Sequence, residues 1–390
     1  MKHPVLVALL TAASALGLLA PLPARAANTD AGKYQAVLGD CAGCHGRDLS
    51  GGVTLETPFG TLVTPNITLD RATGIGGWTA AEFRTAMKTG VAPGGKRLYP
   101  AMPYPAYAHM RDADVGELWA WLRTVRPVRK AVDVNHLRFP FNLRFVMAGW
   151  NLLFFHPPQA VAASRGRYLV DGAAHCGTCH SPKNIFGADK APALSGGVLA
   201  GWYAPNLTGE PVTGLASWSK ANLVEYLKTG RNAHGIASGP MAEAVENSMS
   251  RMTDSDLGAI AAYIKALPAS GGNGGGVGQG NAQVAAGAGV YRLGCSACHG
   301  ADGRGSAVFP PLAGNPNVRQ PSAETLARVV LAGTHGAATK SAPTGQGMPS
   351  FAWKLDDAAI ANVLTYIRNS WGNAAPPVDA GLVARMRTGG

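Results

Sequence analysis

The chain has 390 residues, 46% hydrophobic and 15% charged, which excludes a disordered or fibrous protein and accommodates two or three domains of ordinary size. Its formal net charge of +11 is spread along the chain, with no run of five basic residues and no aromatic-and-basic motif, so nucleic acid is excluded as a partner.

The chain opens with Lys2, an apolar run from Val5 to Ala20 and the small-x-small triplet Ala24-Arg25-Ala26. This predicts a signal peptide over 1–26 and a mature chain that starts near Ala27, outside the cytoplasm. Losing Lys2 and Arg25 takes the formal charge from +11 to +9.

A first domain is expected over 27–130. Gly32-Lys33-Tyr34 opens a short helical stretch leading to the pentapeptide CAGCH, residues 41–45. Further on, Val115, Leu118, Trp121 and Leu122 share one helical face, with Asp112 and Asp114 at its start. A connector, 131–160, follows. Its largely apolar segment Phe145 to Phe155, eleven residues, reaches only about 16 Å as a helix, short of a bilayer core near 30 Å. They are read as inter-domain core, with a seat on a membrane surface or a partner as the alternative.

The second domain, 161–268, repeats the plan: Gly166-Arg167-Tyr168, CGTCH at 176–180, and a closing face of Leu257, Ile260, Tyr263 and Ile264. A linker, 269–283, contains the glycine-rich stretch SGGNGGGVGQG and reads as flexible. The third domain, 284–372, has Gly289-Val290-Tyr291, CSACH at 295–299 and a closing face of Ile360, Val363, Tyr366 and Ile367. A tail, 373–390, ends the chain. Proline loops follow each pentapeptide: Thr64-Pro65-Asn66, Ala204-Pro205-Asn206 and Phe309-Pro310-Pro311. A backbone carbonyl there would hold the second ring nitrogen of the preceding histidine, with an ordinary turn as the alternative.

All six cysteines, Cys41, Cys44, Cys176, Cys179, Cys295 and Cys298, lie in these pentapeptides. An exported chain would ordinarily pair them as disulfides. The spacing argues otherwise, because in Cys-x-x-Cys-His two thiols add across the vinyl groups of one haem and the histidine comes under the iron. A redox pair or half of a zinc site would not require His45, His180 and His299 in the same place each time. Three covalently bound c-type haems are therefore expected. Their six propionates would lower +9 to about +3, so the basic pI says little about a polyanionic partner.

The sixth iron ligand separates electron transfer from chemistry on a substrate. Met102, Met241 and Met348 each lie beside a proline, downstream of the matching histidine and ahead of the closing helix. A thioether there favours the ferrous state and lets the iron gain an electron without exchanging ligands. Met87, Met110, Met249 and Met252 read as core residues instead, and His109, His234 and His335 are the alternative ligands.

The segments TPNITLDRATGIGGW, YPAMPYPAYAHM, FNLRFVMAGWNLLFF, YLKTGRN and YIRNSWGN make the chain resemble the three-haem cytochrome c subunit of bacterial periplasmic, membrane-associated dehydrogenases. The resemblance spans nearly the whole mature chain. It implies an all-α fold of three tandem class I cytochrome c domains. It also implies an electron-transfer subunit, not itself an enzyme, that relays electrons from a catalytic subunit carrying flavin, pyrroloquinoline quinone or molybdenum toward ubiquinone. The implied location is the periplasm, at the outer face of the cytoplasmic membrane, although the short tail after Trp371 weakens the attachment many relatives have. A free-standing carrier or oxidase-feeding cytochrome, and a haem enzyme with an open iron, are the alternatives.

Overall fold

Each pentapeptide is reached by an entry helix that crosses a later closing helix at a glycine. The computed structural model describes residues 29–272 and 275–388, so the expected signal peptide, 1–26, lies outside the described residues. Entry helix Thr29–Leu38 packs on Asp112–Leu122, and Ala282–Gly294 packs on Asp357–Arg368. In the second repeat the turn Arg165–Arg167 and the π-helical segment Tyr168–Ala173 pack on Asp254–Ala266.

The crossings are backbone to backbone. A Cβ on Gly32 would stand 2.0 Å from Glu117 O, one on Gly166 2.2 Å from Ala259 O, and one on Gly287 2.1 Å from Asn362 O. Beside each carbonyl stands the aromatic residue of the closing face, Trp121, Tyr263 or Tyr366. In sequence Gly289-Val290-Tyr291 matches Gly32-Lys33-Tyr34 and Gly166-Arg167-Tyr168, yet the glycine at the third crossing is Gly287, and a Cβ on Gly289 would meet nothing within 4 Å. The π-helical segment has a similar local cause: one more residue separates Gly166 from Cys176 than separates Gly32 from Cys41, and a single wide turn absorbs it. The first two repeats then turn into the pentapeptide through a left-handed residue, Asp40 at φ 47° and His175 at φ 42°.

The repeats are mainly helical, but the all-α expectation needs amendment, because the described residues include eleven short strands. Thr54–Thr57, Gly60–Val63 and Asn135–Leu137 form one antiparallel sheet, with Thr54 opposite Val63 and Gly60 opposite Leu137. Threonines and β-branched residues around the Pro58-Phe59-Gly60 turn favour that hairpin. The other strands pair as two-stranded ribbons.

The apolar connector forms the helix Val146–Phe154 over this sheet. Of its residues only Met147 is buried, joining Leu62, Tyr99 and Leu137. Phe145, Leu152 and Leu153 are 73%, 81% and 65% exposed, so the segment is not inter-domain core. A nine-residue helix docked along one side leaves its other apolar side outward. The glycine-rich linker is tied at its described ends: Ser270 O accepts from Asn206 Nδ2 at 2.8 Å, and Val277 N–H donates to Asn369 Oδ1 at 2.8 Å.

The first two repeats exchange equivalent contacts. Tyr34 OH donates to Asp256 Oδ2 at 2.7 Å, and Tyr168 OH donates to Asp114. Each tyrosine follows its crossing glycine by two residues, and each carboxylate sits in the first turn of the other repeat's closing helix. A single apolar core, from Leu38 and Leu118 to Leu169 and Leu257, runs through both repeats. The third repeat docks on the second. Thr325 Oγ1 accepts from Tyr203 N–H at 2.8 Å and donates to Tyr203 O at 3.0 Å, and Arg328 Nε donates to Gly201 O at 3.2 Å. Inside the third repeat the fully buried Arg368 donates to the carbonyls of Val318, Gln320 and Pro376.

Candidate haem-attachment sites

Cys41–His45, Gly177–His180 and Ser296–His299 are short helical turns. A helical turn brings residues three and four apart to one side, so each cysteine pair and its histidine converge. At the first site the left-handed Asp40 caps the turn, its side chain accepting from Gly43 N–H. All six cysteines are unpaired. Burial pushes the Cys41 and Cys176 thiols up to about 12 and the Cys44 and Cys295 thiols to about 11. Among the described residues no three of His, Cys, Asp and Glu are grouped to hold a metal ion.

The proline loops supply the same contact three times. His45 Nδ1 lies 2.8 Å from Pro65 O, His180 Nδ1 2.7 Å from Pro205 O, and His299 Nδ1 3.0 Å from Pro310 O. A carbonyl only accepts, so Nδ1 carries the proton and the Nε2 lone pair is left for a metal. Burial lowers the pKa of all three rings and keeps them neutral. The ordinary-turn reading of these loops is thereby set aside.

Two asparagines that sequence reasoning passed over hold the first two loops in shape. Asn66 Oδ1 accepts from Thr68 N–H at 2.9 Å and Asn66 Nδ2 donates to Val128 O at 2.7 Å. Asn206 Oδ1 accepts from Thr208 N–H at 2.8 Å and Asn206 Nδ2 donates to Ser270 O at 2.8 Å. The recurring Pro-Asn-x-Thr is the signal that could have found them.

The three methionines stand in different local structures. Met102 lies in the turn ahead of Tyr104–Tyr107, Met241 in the first turn of Pro240–Asn247, and Met348 in a strand paired with Thr334. Met102 and Cys41, like Met241 and Cys176, border the core shared by the first two repeats. Met348 borders the core of the third. Met87, Met110 and Met252 are buried core residues, and Met249 packs on the core edge. His234 is stacked on Trp218 with ring centroids 5.0 Å apart, and His335 Nδ1 lies 3.3 Å from Gly336 O. His109 is set against Gly172.

This donor set fits haem: a paired thiol edge, a histidine with a free Nε2, and thioethers at the core border. One orphaned donor fits as well. Trp218 Nε1 is buried with no acceptor among the described residues, and a propionate would satisfy it.

The first two sites face each other. The Met241 helix packs on the Cys41–His45 turn, and Tyr104–Tyr107 packs on Tyr168–Ala173. Tyr107 meets the His175 ring edge-on at 5.5 Å, and Cys179 is near enough to Cys44 to disfavour its ionisation.

A cytochrome c family model matches residues 30–126, 163–268 and 284–371, one match around each pentapeptide. The chain is 39% identical to the gluconate 2-dehydrogenase cytochrome c subunit of Pantoea cypripedii, covering 91% of this chain and 88% of that one. It is 35% identical to the fructose dehydrogenase cytochrome subunit of Gluconobacter japonicus, covering 95% and 85%. With the cytochrome c subunit of the quinone-type alcohol dehydrogenase of Gluconobacter oxydans it shares 36% identity, covering 97% and 87%. With three family segments, each holding a thiol pair and a carbonyl-held histidine, the chain belongs to the cytochrome c family.

Proposed function

We propose that this chain is a tri-haem electron-transfer subunit, relaying electrons from the catalytic subunit of a periplasmic dehydrogenase toward ubiquinone. The observation that carries the reading is the threefold recurrence of one arrangement, a cysteine pair followed by a histidine whose Nδ1 is held by a proline carbonyl. The kinship to cytochrome subunits of gluconate, fructose and alcohol dehydrogenases supports the kind of partner.

Bound haem supplies a one-electron ferric/ferrous couple. The chain's residues hold and tune it. Cys41 and Cys44, Cys176 and Cys179, and Cys295 and Cys298 would attach one group each; His45, His180 and His299, through Nε2, together with Met102, Met241 and Met348, would hold the iron. Held by histidine and thioether donors, the group would serve electron transfer, and oxidation of the substrate belongs to the partner. The second repeat contacts both of the others, which supports a relay in which the second haem is the middle station.

No described helix is long and apolar enough to cross a membrane. The outward side chains of Phe139, Phe145, Leu152 and Leu153 form the surface this reading assigns to peripheral contact with the outer face of the cytoplasmic membrane.

The test is a haem count. Protein exported through a c-type maturation pathway should give three haems per chain by pyridine haemochrome assay and intact mass, and should co-purify with a dehydrogenase catalytic subunit. Fewer than three haems in the fully matured protein overturns the reading.

A further inference from the structure

The three proximal histidines share one kind of acceptor, but the peptide behind each acceptor differs. Pro205 O, which holds His180 Nδ1, belongs to the peptide whose N–H is that of Asn206. That N–H donates to Gln320 Oε1 of the third repeat at 3.4 Å. Gln320 is 1% exposed, and its amide orientation is determined by its other contacts: Nε2 donates to Thr213 O and to Pro316 O, both at 2.7 Å. Two carbonyls can receive only N–H donors, so Oε1 is the atom that faces Asn206. Arg368 NH2 donates to the backbone carbonyl of the same Gln320 at 2.8 Å, which fixes the residue in the buried core of its own repeat.

The other two sites lack this support. Behind Pro65 O stands Asn66, whose backbone N–H has no bond to any described residue. Behind Pro310 O stands Pro311, which has no N–H at all. A peptide whose N–H donates becomes a stronger acceptor at its carbonyl, because hydrogen bonds in a chain polarise one another. The Nδ1 to carbonyl distances follow that ranking: 2.7 Å at His180, 2.8 Å at His45 and 3.0 Å at His299.

We infer that Gln320 is a positioning residue through which the third repeat strengthens the hydrogen bond at His180 Nδ1, making that imidazole the most electron-donating of the three and lowering the reduction potential of the second haem. The inference rests on the tri-haem reading and deepens it, since it makes docking of the third repeat a determinant of the middle station's potential.

The test uses the haem-loaded full chain with Gln320→Leu, Gln320→Glu and Thr325→Val. Gln320→Glu, protonated where it is buried beside two carbonyls, keeps an acceptor toward Asn206 N–H and one O–H donor, whereas Thr325→Val loosens the same interface at Tyr203, two residues before Pro205, and leaves Gln320 in place. Two readouts are taken: spectroelectrochemical titration of the three one-electron waves, and the Nδ1–H proton resonances of the reduced, diamagnetic protein.

In Gln320→Leu the His180 Nδ1–H resonance should move upfield while those of His45 and His299 stay in place. One wave should move to higher potential by about two- to tenfold in its reduction equilibrium, the net worth of one hydrogen bond. Gln320→Glu should restore both toward wild type. Unmoved resonance and waves in Gln320→Leu would overturn the inference, and so would an equal shift in Thr325→Val, which would assign the effect to packing. A Gln320→Leu chain that fails to dock is recognised by loss of the wild-type thermal transition, and Gln320→Met, which keeps the side-chain length and removes the acceptor, then carries the comparison with the same expected shifts. Absence of three c-type haems in the wild type is a separate failure, that of the functional reading itself.

Discussion

Asp256→Asn tests whether the exchange between the first two repeats is an energetic hinge of the fold. Asp256 is buried, accepts Arg165 Nε at 2.8 Å and Arg165 NH2 at 2.7 Å, and takes Tyr34 OH at 2.7 Å. An asparagine keeps the shape but loses the charge that makes the paired guanidinium bonds strong. Hydrogen bonds to a charged group are worth about 1.5–3 kcal/mol, and Arg165, with 35% of its side chain exposed, recovers part of that from water. A loss of about 2 kcal/mol is expected, or about 4–8 °C in the unfolding transition of the joined repeats.

The pH dependence follows from the carboxyl's shift. Burial alone would raise the Asp256 pKa, but hydrogen bonds from Arg165 and Tyr34, with the charge of Arg165, outweigh it and hold the carboxyl below its ordinary value. Stability from such a group is complete above the unfolded-state pKa, near 3.9, and is lost as the pH falls through the folded value. Thermal unfolding of the wild type and variant should therefore differ most at neutral pH and converge toward pH 3. A gap below about 0.5 kcal/mol at pH 7, or one that does not narrow on acidification, would refute the reasoning.

Gly166→Ala and Gly287→Ala should each destabilise by about 1–3 kcal/mol or more in urea titrations, because the new methyl meets a carbonyl and no rotamer relieves it. Gly289→Ala, mid-helix and facing open space, should stabilise by about 0.5–1 kcal/mol. At Asp40 the sign reverses: burial raises its pKa to about 7, so the folded state binds the extra proton and stability falls as pH rises from about 4 to 7. Asp40→Asn, tolerated at φ 47°, should flatten that slope and gain up to about 4 kcal/mol at pH 8, read as urea midpoints across pH. Met102→Ala, Met241→Ala and Met348→Ala should each remove about one third of the sulfur-to-iron absorption of the oxidised protein. An unchanged spectrum would strike that methionine from the ligand set.

Much of the site is legible in the sequence because its determinants are local. The Cys-x-x-Cys-His turn, the proline loop and the closing face each fit within a few residues, so the histidine–carbonyl contact can be anticipated from order alone. What escapes depends on partners distant in the chain. Gly287 and Gly289 look equally suited to the crossing until Asn362 O selects one of them. The Tyr34–Asp256 and Tyr168–Asp114 exchange joins positions 222 and 54 residues apart, beyond the reach of any periodicity. Two-residue ribbons such as Thr334–His335 with Gly347–Met348 have no sequence pattern of their own, since pairing, not propensity, makes them strands.

The connector shows the same limit from the opposite side. Its apolar run reads as core because hydrophobicity alone does not say which face is covered. The hairpin Thr54–Val63 and the strand Asn135–Leu137 offer a sheet wide enough for Met147 but not for Leu152 and Leu153, so half of the helix's apolar surface is left outward. The three repeats are likewise alike as sequences and unequal as surroundings. The Met241 helix packs on the first attachment turn and Tyr104–Tyr107 on the segment leading to the second, whereas the third repeat docks on the second through Thr325, Arg328, Gln320 and Ala337. Identical attachment chemistry thus sits in three different electrostatic settings, and it is that inequality, imposed by docking, that would give a chain of like haems a direction.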